Sequence, residues 1–157
     1  MSFTWNQHSV DKMAGLHPDL IRVLQKFITI SRLACVIAQG VRTREYQYAL
    51  WRSSHALDGS VIAGADWKTN CNGTPLGETS PEGSAGTGLS NHQSGHAVDI
   101  AVLIAGDVNW ELRYYKTLAG DMLAAAAACA VPLVWGGSWP QPKTDSDHFE
   151  LNKAFYP

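Results

Sequence analysis

Ser90-Asn91-His92-Gln93-Ser94-Gly95-His96-Ala97-Val98-Asp99 follows the pattern Ser-x-His-x-x-Gly-x-Ala-x-Asp, and far downstream Asp145-Ser146-Asp147-His148 adds a second histidine beside acids. Two imidazoles and a carboxylate are good ligands for zinc at bond lengths of about 2.0–2.2 Å, and three protein ligands leave the fourth tetrahedral position open to water. An ion with an open position does chemistry rather than merely stapling a fold, so metal-assisted hydrolysis is the candidate reaction. The candidate ligands are His92, Asp99 and His148. Gly95 allows the tight turn that brings His92 back beside Asp99, and Ala97 leaves room near the ion. His96 is a rival, because His92-x-x-x-His96 is helical metal spacing.

The elements that must position these groups can be read from the pattern. Pro18 and Asp19 mark a helix start, and Leu20, Val23, Leu24, Phe27 and Ile28 recur at helical spacing after it. Leu33 to Ala38 is a short apolar run that reads as a buried strand ending at Gly40, which delivers Arg42 to a surface edge. Thr43 can cap a following helix with Gln47 a little over one turn inside it. His96 to Leu103 alternates as a strand, with Ala97, Asp99 and Ala101 on one face and His96, Val98 and Ile100 on the other. That parity separates His96 from Asp99 and leaves it out of the ligand set.

Trp110 to Ala130 reads as a scaffold helix with Leu112, Tyr115, Ala119, Met122 and Ala126 on one side. Val131 to Trp135 and His148 to Leu151 read as further strands, and His148 and Glu150 would share a face. The predicted class is α+β: a single domain over residues 1–157, with a small, mostly antiparallel sheet flanked by helices. A long loop is expected at about 52–89, either a lid beside the site or an exposed, tolerated insertion.

A chain of 157 residues with 45% hydrophobic and 17% charged content is an ordinary globular composition, and a net charge of −2 offers nothing to a phosphate backbone. No nucleic-acid partner is expected. Residues 1–8 carry neither a basic start nor an apolar run, so neither a signal peptide nor stable membrane insertion is expected. Cys35, Cys71 and Cys129 are odd in number and widely spaced, and read as thiols. His8, His17 and His55 have no partner pattern and read as surface or capping residues.

The Ser90 to Asp99 pattern, with Asp145-x-x-His148-Phe149-Glu150, resembles the peptidase family of bacterial D-alanyl-D-alanine carboxypeptidases and phage L-alanyl-D-glutamate endolysins. His17-Pro18-Asp19-Leu20, Gly40-Val41-Arg42-Thr43 with Gln47, and Trp135-Gly136-Gly137 extend the likeness in order along most of the chain, closest to the endolysin branch. The resemblance implies a Hedgehog/DD-peptidase-like fold and a zinc-dependent hydrolase that cleaves the L-alanyl-D-glutamate bond of the peptidoglycan stem peptide. It implies Asp145 as general base. Asp147, where the family commonly has proline, would lie on the same side in an extended segment and stays open as a rival.

The family's position equivalent to Arg42 implies a bidentate clamp on the free carboxylate of D-glutamate. Ser90 and Gln47 would support the substrate, and Glu150 would orient a ligand imidazole. His96 departs from the apolar residue usual in the family. The expected product is a monomer that stays in the host cytoplasm until a membrane-permeabilising partner lets it act on the wall from the periplasmic side. Two alternatives remain: a D-alanyl-D-alanine carboxypeptidase with the same metal site, and a non-catalytic zinc-stabilised module that binds wall peptides or a protein.

Overall fold

The computed structural model describes residues 2–52, 90–141 and 144–157; for 44, 48, 51 and 52 only the backbone is described. The expected loop at 52–89, with His55 and Cys71, lies outside the described residues beyond Arg52.

A short helix missing from the sequence reading comes first. In α1 (Gln7–Lys12), Asn6 caps the N-terminus by accepting the Ser9 N–H at 2.9 Å. Ser9 is fully buried, and its Oγ accepts the Ile37 N–H at 3.0 Å, so α1 covers the outer edge of the first strand. The second helix, α2 (Pro18–Ile30), starts at its proline with His17 as cap, Nδ1 accepting the Asp19 N–H. His17 is thus a capping residue, as expected.

The strand β1 (Ala34–Gln39) leads to α3 (Arg44–Arg52), where Thr43 Oγ1 accepts the Tyr46 N–H at 3.2 Å. β2 (Ala97–Ile104) turns through Ala105 and Gly106, both at positive φ, into β3 (Asp107–Asn109). Ile104 pairs Asp107, so this is a two-residue hairpin whose positive φ values match the strand twist. The long helix α4 (Leu112–Ala128) begins two residues later than expected, and Leu112 is 48% exposed rather than packed. β4 (Leu133–Trp135), a turn of 3₁₀ helix (Gly136–Ser138) and β5 (His148–Leu151) complete the described chain.

The strands form one sheet in the order β1-β2-β5-β4, with β3 beside the far end of β2, and every pairing is antiparallel. Val98, Ile100 and Val102 of β2 and Phe149 of β5 face a core built with α2 (Leu20, Val23, Leu24, Phe27) and α4 (Tyr115, Leu118, Met122, Ala125). The alternation of side chains sends Asp99 and His148, which pair across β2 and β5, to the opposite face. The class is α+β, as predicted. Among the described residues, no helix is long and apolar enough to cross a membrane.

Candidate metal centre

Three elements converge on that opposite face. β2 contributes Asp99, β5 contributes His148, and the turn before β2 contributes His92. Asp99 Oδ1 lies 3.0 Å from His148 Nδ1 and 3.2 Å from His92 Nε2, and the two imidazole nitrogens are 3.2 Å apart. All three residues are buried. Among the described residues, theirs is the group of His, Cys and acidic side chains whose donor atoms gather closely enough to hold an ion.

The second nitrogen of each ring decides what the first can do. His92 Nδ1 is 3.0 Å from the Gly40 carbonyl oxygen, which can only accept, so Nδ1 carries the hydrogen and Nε2 turns a lone pair to the centre. His148 Nε2 is 3.0 Å from Glu150 Oε2, which likewise leaves Nδ1 for the centre. Asn91 Nδ2 donates to the same Glu150 oxygen at 2.8 Å. Four tetrahedral donors at zinc bond lengths stand about 3.3 Å apart by simple geometry, close to the separations found here. The donor set therefore fits a divalent ion of zinc's size in number, type and spacing.

Without an ion, protons hold the cluster together. Burial alone would raise the Asp99 pKa, but the charge of His92, with hydrogen bonds to His148 and His92, outweighs it and keeps this carboxyl far below its usual range. Burial alone would lower His148, but its hydrogen bonds to Asp99 and Glu150 raise it from the ordinary 6.5 to about 9. A depressed acid stabilises the fold above its unfolded value of 3.8 and loses that contribution on acidification. A raised histidine stabilises it fully below 6.5 and loses that contribution as pH climbs through about 9. Protein stripped with a chelator should accordingly melt lower at pH 9.5 than at pH 6. Zinc binds only the neutral ring, so the zinc-loaded protein should lack this alkaline decline; a flat profile for the stripped protein would refute the assignment.

Arg42 does not stand at a surface edge. Its side chain turns inward, 16% exposed, with Nη2 3.1 Å from Asp99 Oδ2 and Nη1 3.4 Å from Gln47 Oε1. The pairing of β1 shifts register between Ile37 and Gln39, and beyond the strand the Arg42 N–H donates to the His92 carbonyl at 3.1 Å, which holds the residue beside the cluster. Gln47 is completely buried and braces the guanidinium. The Ser90 carbonyl accepts the Gln93 N–H and starts the His92 turn; among the described residues its hydroxyl does not join the cluster.

Asp145 is half-buried on the turn entering β5: its N–H donates to the Gly136 carbonyl at 3.0 Å, and its own carbonyl accepts from His148. The parity expected to put Asp147 beside Asp145 fails, because Ser146 and Asp147 form a turn rather than extended chain. The Asp147 carbonyl accepts the Ile100 N–H, and its charge bears on Tyr115, a core residue. His96 stays outside the cluster, its ring 5.1 Å from that of His17 and its Nδ1 bonded at Ser94. Sequence reasoning missed Asn91, an unconstrained position inside the motif, and the Gly40 carbonyl, which has no side-chain signature. It also missed Trp139, whose ring lies 5.2 Å from that of His148 and walls the site.

Residues 83–151 match the model of a family described as D-alanyl-D-alanine carboxypeptidase. Among solved structures the chain is similar to the L-Ala D-Glu endopeptidase ChiX of Serratia marcescens, at 28% identity and a TM-score of 0.72, over 100% of this chain and 94% of that one. It is similar in fold to the vancomycin-resistance D,D-pentapeptidase VanY from a VanB-type cassette, solved with Zn(II), at 17% identity and a TM-score of 0.56, over 87% of this chain and 72% of that one. No curated protein sequence matches the chain.

Proposed function

We propose that this chain is a zinc peptidase of the family described as D-alanyl-D-alanine carboxypeptidase and, within it, an endolysin that hydrolyses the L-alanyl-D-glutamate bond of the peptidoglycan stem peptide. The observation that carries a metal-dependent hydrolysis is the convergence of His92, Asp99 and His148, with both rings fixed by outside partners so that their lone pairs meet. The choice of bond rests on likeness along the whole chain to an L-Ala D-Glu endopeptidase.

His92, Asp99 and His148 would hold zinc, which supplies a Lewis acid able to make water nucleophilic near neutral pH and to polarise the scissile carbonyl. Asp145 takes the proton of the attacking water and delivers it to the departing amine. Arg42 Nε is buried and makes no hydrogen bond among the described residues, leaving a donor for the D-glutamate carboxylate. Trp139 excludes water on the His148 side. The enzyme acts as a monomer, remains in the host cytoplasm, and reaches the wall when a membrane-permeabilising partner opens the way.

Mass spectrometry of purified peptidoglycan digested with the protein tests this directly. New D-glutamate amino termini, abolished by a chelator and restored by zinc, are the expected result. Loss of terminal D-alanine would instead make it a carboxypeptidase, and peptides left intact would make it a binding module. Repeating the digestion on intact cells, with and without a permeabilising agent, reads the need for a partner.

A further inference from the structure

We infer that Arg42 is a positioning residue for the metal centre, holding one oxygen of Asp99 so that the other alone faces the two imidazoles. A carboxylate can offer an ion one oxygen or both. Here the two oxygens are divided: Oδ1 lies 3.0 and 3.2 Å from the ring nitrogens of His148 and His92, while Oδ2 lies 3.1 Å from Arg42 Nη2. The pair is mostly enclosed, with side chains 16% and 12% exposed, so solvent screens it little.

The guanidinium is itself fixed. Its other arm reaches the fully buried Gln47 at 3.4 Å, and the Arg42 peptide N–H donates to the His92 carbonyl at 3.1 Å. Two residues earlier, the Gly40 carbonyl takes the His92 Nδ1 hydrogen. The segment 40–42 therefore orients two of the three donor residues from outside, in a way a substrate clamp alone would not require. A rigid planar fork suits this task and a lysine ammonium does not.

This inference rests on the metal reading, and its test separates the two. Zinc affinity of the full chain is measured by competition with a chromogenic chelator, and the visible spectrum is recorded after loading with Co²⁺. Arg42→Ala should bind zinc about 10–100-fold more weakly, with a weaker cobalt absorption as the second Asp99 oxygen joins the ion. Arg42→Lys, which keeps the charge and carries the test if the alanine variant does not fold, should restore neither. Unaltered zinc affinity and cobalt spectrum in both variants, with only KM raised, would overturn the inference and leave a pure substrate clamp. Failure of the unaltered chain to bind zinc would overturn the metal reading, and this inference with it.

Discussion

Replacing Asp145 by alanine is expected to lower turnover by about 10²–10⁴-fold while the zinc content of the protein stays the same. Asp145 is not one of the converging donors, so its loss leaves the ligand set complete. It is nevertheless locked to that set. Its carbonyl accepts the His148 N–H, and a Cβ built on Gly136 would come 2.5 Å from that same carbonyl and 3.1 Å from His148 Cβ. The 3₁₀ turn and the backbone of Asp145 are thus packed tightly against the ligand His148, which fixes where the chain carries this acid.

Asp147→Ala is expected to cost far less, because this residue's carbonyl pairs with Ile100 and its charge bears on Tyr115 in the core. Single-turnover rates and metal content of both variants decide the matter. A larger loss in Asp147→Ala than in Asp145→Ala would transfer the role of base to Asp147.

Gly95→Ala should be strongly damaging although it touches no chemical group. Gly95 has a φ of +73°, where an alanine costs about 1–2 kcal/mol. The added Cβ would also stand 2.3 Å from the Gly15 carbonyl oxygen, a backbone atom that cannot simply rotate away. Crowding of that kind adds about 1–3 kcal/mol. Together these should lower the melting temperature by roughly 5–15 °C. Gly95 also accepts the His17 N–H at 2.9 Å and donates to the His92 carbonyl, so the strain is delivered to the turn that presents His92. Zinc affinity should fall with stability, and a variant melting within two or so degrees of the parent would sink this account.

Much of this was legible from residue patterns, and the parts that were not share a cause. The strand carrying Asp99 and the helix starting at Pro18 announce themselves by periodicity because one face of each is buried in the common core. His96 could be set aside by strand parity alone. Arg42 could not be placed, since the groups that hold it inward, the His92 carbonyl and the Asp99 carboxylate, lie some fifty residues and more along the chain. Parity puts Asp147 beside Asp145 only in extended chain, whereas Ser146 and Asp147 form a turn, as the run of Asp and Ser, both common turn residues, allows.

The β2–β3 hairpin escaped notice because its turn is Ala105-Gly106 rather than a stronger signal such as Asn-Gly. The six polar-leaning residues of α1 make a helix too short for periodicity to show. Asn91 lies in plain sight within the motif, but only the folded chain brings it to Glu150, 59 positions away.

Asp99 and His148 are direct partners across two antiparallel strands. Slipping that pairing by one residue would rotate one of the two out of the site and into the hydrocarbon interior, and the neighbouring Val98 or Phe149 would surface in its stead. The centre therefore has no half-built form. Either the strands mate in the one alignment that brings the donors together, or the chain has no place for the ion at all, so occupancy by metal reports on the fidelity of folding as directly as on catalysis.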